Sequence, residues 1–131
     1  MLEIKGLTGG YVNIPVLKDV SFEVGDGQLV GLIGLNGAGK STTINEIIGL
    51  LTPYQGEILI DGLSLKSDRT AYRKKIGFIP ETPSLYEELT LKEHIETVAM
   101  AYDIDSQTAI DRVDKLLQIF RLKDKLDWFP V

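Results

Sequence analysis

The first third of the chain carries its hydrophobic residues in short runs that are rich in β-forming side chains. Three such runs, Leu2–Leu7, Val16–Val24 and Leu29–Ile33, predict three strands. Because glycine pairs are strong turn signals, we expect Gly9-Gly10 to end the first strand. The segment Gly25-Asp26-Gly27 is suited to a hairpin turn after the second strand.

The period of the hydrophobic pattern changes after Gly39. From there, the hydrophobic residues recur on one face of a helix, at Ile44, Ile47, Ile48 and Leu51. Pro53 is expected to end this helix, since proline cannot continue it. A strand followed directly by a helix is the βα unit that many nucleotide sites use.

The remainder of the chain is predicted to contain more helix than strand. Thr90 and Glu93 have the spacing of a capping box, which predicts a helix start at this point. The other predicted elements are strands at Gly56–Gly62 and Lys75–Ile79, a short helix at Arg69–Lys74, and a last helix from about Ser106 to Phe120.

Composition narrows the class of protein. A length of 131 residues with 44% hydrophobic content fits one globular domain. The net charge of -5 argues against a nucleic-acid partner, because DNA and RNA binding needs a positive field on at least one face. The absence of cysteine excludes disulfides and thiolate chemistry. No run approaches the roughly 20 apolar residues that span a bilayer, so we expect a cytoplasmic protein that reaches a membrane only through a partner.

The segment from Gly34 to Ser41 matches the pattern G-x-x-x-x-G-K-[S/T]. Its glycines let the backbone curl so that successive N–H groups point at phosphate oxygens, and the following helix aims its positive end at the same anion. Lys40 is predicted to reach the β- and γ-phosphates, Ser41 to ligate Mg²⁺, and Thr42 to contact the α-phosphate side. The motif predicts an ATP-Mg²⁺ site; the alternative is a glycine-rich turn that serves only packing.

The residues around this loop resemble the opening of ABC ATPase domains almost position for position. The resemblance is carried by Val16–Val24, Gly27–Thr43 and Gly49–Ile58. It implies an α/β fold of the P-loop NTPase class and ABC ATPase type, with an N-terminal β-subdomain, the βα unit of the phosphate loop and the start of a helical subdomain. Residues 1–131 would then form a partial ABC ATPase domain, with the nucleotide-binding core and β-subdomain at about 1–88 and the helical subdomain beginning at about 89–131.

Two positions outside the loop carry over from this resemblance. Tyr11 resembles the aromatic of the family's A-loop, whose ring stacks on adenine; the alternative is an ordinary half-buried tyrosine at a strand end. Glu81 stands where the family usually has the Q-loop glutamine. A glutamate can offer an oxygen to Mg²⁺ or to water but cannot donate a hydrogen bond when ionised, and the alternative is a solvated loop carboxylate. Its Pro-Glu context resembles export-type, ABC-2-like members. The predicted nucleotide-binding residues are Tyr11, Gly34, Leu35, Asn36, Gly37, Ala38, Gly39, Lys40, Ser41 and Thr42, and the predicted metal ligands are Ser41 and Glu81.

The resemblance also implies protein partners. The segment Leu85–Thr90 falls where the family's transmembrane permease docks its coupling helix, although Leu85 and Leu89 are equally suited to cover the helix that follows. Hydrolysis in this family takes two ABC ATPase domains arranged head to tail, so a second such domain is implied. Bound to its permease, the protein is expected on the inner face of the cell membrane.

The family's second half, with the signature motif, the Walker B aspartate, the catalytic glutamate and the switch histidine, is not found in this sequence. We therefore expect the 131 residues to bind nucleotide without turning it over, and to leave Trp128 and Phe129 without neighbours. His94 is predicted to be a surface or packing residue. The alternatives are a non-catalytic nucleotide sensor and a soluble ABC protein of translation or repair. A P-loop kinase or a GTPase is not favoured, because this sequence does not contain the motifs of either class.

Overall fold

The computed structural model describes residues 1–12 and 14–130. The chain forms two compact units, Met1–Phe78 and Ile79–Val131. In the part of the chain that is described, all the strands belong to the first unit. The domain division expected near residue 88 falls later in the sequence than the boundary between these units.

The first unit contains a three-stranded antiparallel sheet with the order β2-β1-β3. The strands are β1 (Leu2–Tyr11), β2 (Ile14–Val24) and β3 (Gln55–Ile60). Residues three apart point to opposite faces of a regular strand, yet Ile4 and Leu7 are both buried. A shift in the β1–β2 register lies between these two residues, and such a bulge reverses the alternation so that both side chains enter the core.

The expectation that Gly9-Gly10 ends the first strand is wrong. β1 continues to Tyr11, because Gly9 pairs with Leu17 and Gly10 with Pro15 of the neighbouring strand. The ladder to β2 holds this part of the chain extended despite its two glycines. The glycine pair is a turn signal within one strand, and it gives no information about the neighbouring strand that pairs with it.

Two predicted strands are not formed. The segments Leu29–Ile33 and Lys75–Ile79 are irregular, and no strand among residues 1–12 and 14–130 pairs with either of them. Leu29 is 100% exposed and Ile79 is 90% exposed. A strand needs hydrogen-bonded neighbours and side-chain packing on its faces, so β-propensity alone does not form one. The turn after β2 is present, with a 3.2 Å bond from the Gln28 amide to the Gly25 carbonyl, but no hairpin follows it.

Two helices pack on the sheet of the first unit, α1 (Lys40–Ile47) and α2 (Arg69–Lys74). Tyr72 of α2 is fully buried in the core, and its hydroxyl donates a 2.7 Å hydrogen bond to the carbonyl of Ile47. Burial raises the pKa of this phenol to about 12. Tyr72 therefore ties the second helix to the end of the first. The α2 prediction is confirmed, whereas α1 ends well before Pro53.

The second unit is built from α3 (Leu91–Ala101), α4 (Ser106–Phe120) and a 3₁₀ turn at Lys123–Lys125. The predicted capping box is confirmed: Thr90 accepts from the Glu93 amide, and the Glu93 carboxylate accepts from the Thr90 amide. The last predicted helix is confirmed as well. None of the helices in the described ranges is long and apolar enough to cross a membrane.

The segment after α4 returns to the start of α3. The Leu91 amide donates to the carbonyl of Trp128 at 3.0 Å, and the Lys92 amide donates to that of Leu126 at 2.9 Å. These two amides belong to the first helical turn, which has no acceptors of its own. The ammonium of Lys125 lies 3.7 Å from the centre of the Trp128 ring. The expectation that Trp128 lacks neighbours is therefore wrong, although its side chain is 59% exposed.

Candidate functional site

The segment from Gly34 to Ser41 curls at the N-terminus of α1. Lys40 is the first residue of that helix, and its side chain folds back over the loop. Its ammonium donates hydrogen bonds to the carbonyls of Gly34 at 2.7 Å and Leu35 at 2.8 Å. The Ala38 amide donates to the Leu35 carbonyl at 3.2 Å, which adds a turn inside the loop. The lysine thus joins the beginning of the loop to its end.

Two glycines of the loop have left-handed backbone conformations. Gly37 has a φ of 82° and Gly39 a φ of 89°, a region that side chains disfavour. At Gly39 there is a second constraint, because a Cβ atom there would lie 2.5 Å from Cδ2 of Leu17. Leu17 belongs to β2 and is 5% exposed. The loop therefore rests directly on the sheet at Gly39 and has open space around Gly37.

The first turn of α1 places its hydroxyl groups in two environments. Ser41 is exposed, whereas Thr42 and Thr43 are buried. The Thr43 hydroxyl and amide both donate to the Gly39 carbonyl, at 2.9 and 2.8 Å. An exposed hydroxyl beside a phosphate loop suits Mg²⁺, which takes one or two protein oxygens and completes its shell with phosphates and water. Ser41 fits this metal, and the phosphate contact of Thr42 remains a prediction.

The most buried residues of α1 are not the hydrophobic ones that the pattern indicates, although Ile47 is packed against the core. Its buried residues are Thr42, Thr43 and Glu46, whereas Ile44 on the predicted face is 37% exposed. Glu46 is 0% exposed, and neither carboxylate oxygen has a hydrogen-bond partner among residues 1–12 and 14–130. Burial raises the pKa of this carboxyl. Sequence reasoning missed Glu46; the only signal is its position three and four residues after two threonines, which places all three on one face.

The other predicted site residues lie in different units. Tyr11 is the last residue of β1, where it pairs with Ile14, and it is 47% exposed. It shares the first unit with the phosphate loop. Glu81 is exposed and belongs to the second unit. The adenine contact of Tyr11 and the metal contact of Glu81 remain predictions.

The predicted docking segment precedes α3. Leu85 is 57% exposed and Tyr86 is 66% exposed, whereas Leu89 is half-buried. The Tyr86 amide donates to Nε2 of His94 at 3.0 Å, and the Leu89 amide donates to the Tyr86 carbonyl at 3.1 Å. His94 thus has a structural role, which agrees with the prediction that it is a surface or packing residue. The apolar side chains at the start of the segment face solvent.

Comparison with known proteins identifies the family of this chain. Residues 17–129 match the family model described as ABC transporter. The chain belongs to the ABC transporter family. A solved structure described as "Structure of ATP binding subunit of ABC transporter" superposes with a TM-score of 0.93 and 52% identity, over 99% of this chain and 54% of that chain. The expected ABC ATPase fold is therefore confirmed.

Individual relatives in the ABC transporter family bear names of transporter subunits. The chain is 54% identical to the ABC-type transporter ATP-binding protein EcsA of Bacillus subtilis, over 99% of this chain and 53% of that protein. It is 37% identical to the SkfA peptide export ATP-binding protein SkfE of the same organism, over 95% of this chain and 52% of that protein. The chain spans about half the length of the curated relatives it matches.

Proposed function

We propose that this chain is the ATP-binding part of a transporter subunit that couples ATP binding and hydrolysis to transport through a membrane permease. The observation that carries the proposal is the curled loop Gly34–Ser41, which the Lys40 ammonium closes at the start of α1. A loop of this kind offers main-chain N–H groups, a helix N-terminus and one cation to the same polyphosphate. The family membership supports the same function.

In this proposal each residue of the loop has a defined task. The amides of the glycine-rich turn and the N-terminus of α1 bind the phosphates, Lys40 contacts the β- and γ-phosphates, and the exposed Ser41 hydroxyl holds Mg²⁺. Magnesium, when bound, neutralises charge on the phosphates. Tyr11 stacks on adenine from the end of β1. Glu81 offers a second oxygen toward the metal.

We also propose that the 131 residues alone have little or no turnover. Members of this family hydrolyse ATP with two domains head to tail, and this sequence supplies one phosphate loop and no signature motif. A glutamate at position 81 cannot donate a hydrogen bond to water when ionised, which removes one way of orienting the nucleophile. A purified chain that turned over ATP at more than a few per cent of the rate of its full-length protein would contradict this.

ATP-binding proteins of the ABC transporter family typically work with transmembrane permease subunits and as dimers. We place the permease contact at Leu85–Thr90, where Leu85 and Tyr86 are exposed. The subunit would then act on the inner face of the membrane through that contact. The similarity to SkfE, which is named as a peptide export ATP-binding protein, and the Pro-Glu sequence at Glu81 favour the export branch of the family.

The test is the affinity for ATP-Mg²⁺ of the Lys40→Ala variant, measured by titration calorimetry. Because hydrogen bonds to charged groups are worth about 1.5–3 kcal/mol, removing the ammonium should weaken binding about 10- to 100-fold. Lys66→Ala, which removes the same charge from an exposed turn of the same unit, is the matched control and should bind as the wild type does. Equal affinities for the two variants would sink the assignment.

A further inference from the structure

The imidazole of His94 connects α3 to the segment that precedes it. Its Nε2 accepts a hydrogen bond from the Tyr86 amide at 3.0 Å, and its Nδ1 lies 2.9 Å from the Thr90 carbonyl oxygen. A backbone amide can only donate and a carbonyl can only accept. Nδ1 must therefore carry the hydrogen while Nε2 is bare. The two partners together fix the neutral ring in its Nδ1–H tautomer.

This ring holds the segment between Tyr86 and Thr90 at both ends. The rings of Tyr86 and His94 lie 6.0 Å apart, so His94 contacts the side of Tyr86 as well as its amide. The Leu89 amide donates to the Tyr86 carbonyl, which closes a turn between them. Both peptide groups of Tyr86 are thereby held, while its side chain and that of Leu85 are exposed.

The chemistry of this surface indicates one kind of occupant. Two exposed apolar side chains, Leu85 and Tyr86, are followed directly by two exposed acidic ones, Glu87 and Glu88. An amphipathic helix with an apolar face beside lysine or arginine side chains is complementary to this pattern. The partner that fits is a basic amphipathic segment of the permease, and this step rests on the function proposed above.

We propose that His94 is a positioning residue for permease docking: in its Nδ1–H tautomer it holds Leu85 and Tyr86 in the docking arrangement. A proton on Nε2 would place an N–H group opposite the Tyr86 N–H group, and the bond would be lost.

The first experiment measures the hydrogen bond itself in the intact ATP-binding subunit. Imidazole ¹⁵N chemical shifts of the wild-type protein at pH 7.5 should show the Nδ1–H tautomer of His94. This measurement needs no variant. The His94→Leu variant removes the acceptor and should speed amide exchange of Tyr86 about fivefold, the effect of one ordinary hydrogen bond. His94→Gln, whose amide group reaches the position of Nε2, should restore protection. An Nε2–H tautomer, or equal exchange in the leucine variant and the wild type, would overturn the proposal.

The second experiment measures docking, as the amount of permease that co-purifies with each variant of the subunit. The leucine variant should retain about fivefold less permease, and the glutamine variant should retain the wild-type amount. All three proteins should bind ATP-Mg²⁺ equally, because His94 is outside the phosphate loop. Full retention by the leucine variant would contradict the docking role. A wild-type protein that bound no ATP would contradict the proposed function but would not affect the result on the tautomer of His94.

Discussion

A Cβ atom on Gly9 would lie 2.6 Å from the carboxyl carbon of Glu46 and closer still to Oε1. The carboxyl group of Glu46 thus occupies the space that any other residue at position 9 would need. Gly9 lies on β1, two residues before the predicted adenine contact Tyr11, and Glu46 lies on α1, which Lys40 begins. This contact therefore joins the strand and the helix that carry the two ends of the candidate nucleotide site.

Replacement of Gly9 by alanine should test this contact. Forcing an extra methyl group into a packed site costs about 1–3 kcal/mol of unfolding free energy, and here the nearest atoms belong to a buried side chain. Gly77→Ala is the matched control, because a Cβ atom there meets nothing within 4 Å in the described part of the chain. Urea unfolding followed by circular dichroism would compare the two. Equal stabilities would show that Glu46 moves away without cost.

The ionisation of Glu46 should make the first unit less stable as the pH rises. Burial raises the pKa of this carboxyl in the folded protein above its ordinary 4.5, so the folded state binds the proton more tightly than the unfolded state. The penalty is absent below pH 4.5 and grows as the pH rises through the folded pKa. Glu46→Gln should remove that decline. Unfolding free energies of both proteins between pH 4 and 8 would check this, and parallel curves would contradict it.

The predicted strands at Leu2–Leu7, Val16–Val24 and Gly56–Gly62 are confirmed as β1, β2 and β3. The helices predicted correctly from sequence are those that local signals determine. The capping box of Thr90 and Glu93 satisfies amides within one turn, and α4 has an apolar stripe along its own residues and an N-cap, Asp105, directly before them. The segment Leu29–Ile33 has equally strong β-forming residues but forms no strand. Strand formation depends on neighbours, and local sequence contains no information about whether they are present.

The candidate site also has a part that local sequence predicts and a part that depends on contacts between different elements. The phosphate loop can be read from its motif, since glycines, a lysine and a hydroxyl at fixed spacing have one mechanical explanation. Neither the contact between Gly39 and Leu17 nor the one between Gly9 and Glu46 can be read, because each joins residues on different elements. The burial of Glu46 was unexpected because isolated carboxyl groups rarely lie in a core.

The two left-handed glycines of the loop should respond differently to alanine. Gly37→Ala meets no neighbouring atom of the described residues and should cost only the backbone strain, about 1–2 kcal/mol. Gly39→Ala has the same strain and also collides with Leu17, so its cost should be larger. ATP-Mg²⁺ affinity and urea stability should both fall further for Gly39→Ala. A larger loss for Gly37→Ala would show that the loop does not rest on β2 in the way described.

The start of α3 should be the weak point of the second unit in acid. Thr90→Ala removes an N-cap and should cost about 1 kcal/mol of unfolding free energy, whereas Ser106→Ala, at the exposed first position of α4, should cost much less.

Hydrogen bonds from the Thr90 amide and hydroxyl lower the pKa of Glu93. The folded state then binds that proton more weakly than the unfolded state, so the stabilisation is present above pH 4.5 and is lost as the pH falls through the lowered value. Trp128, the single tryptophan, accepts the Leu91 amide beside this cap, so its fluorescence during urea unfolding at pH 7 and pH 3 measures the effect directly. If the difference between Thr90→Ala and the wild type were as large at pH 3 as at pH 7, the Glu93 half of the capping box would contribute nothing.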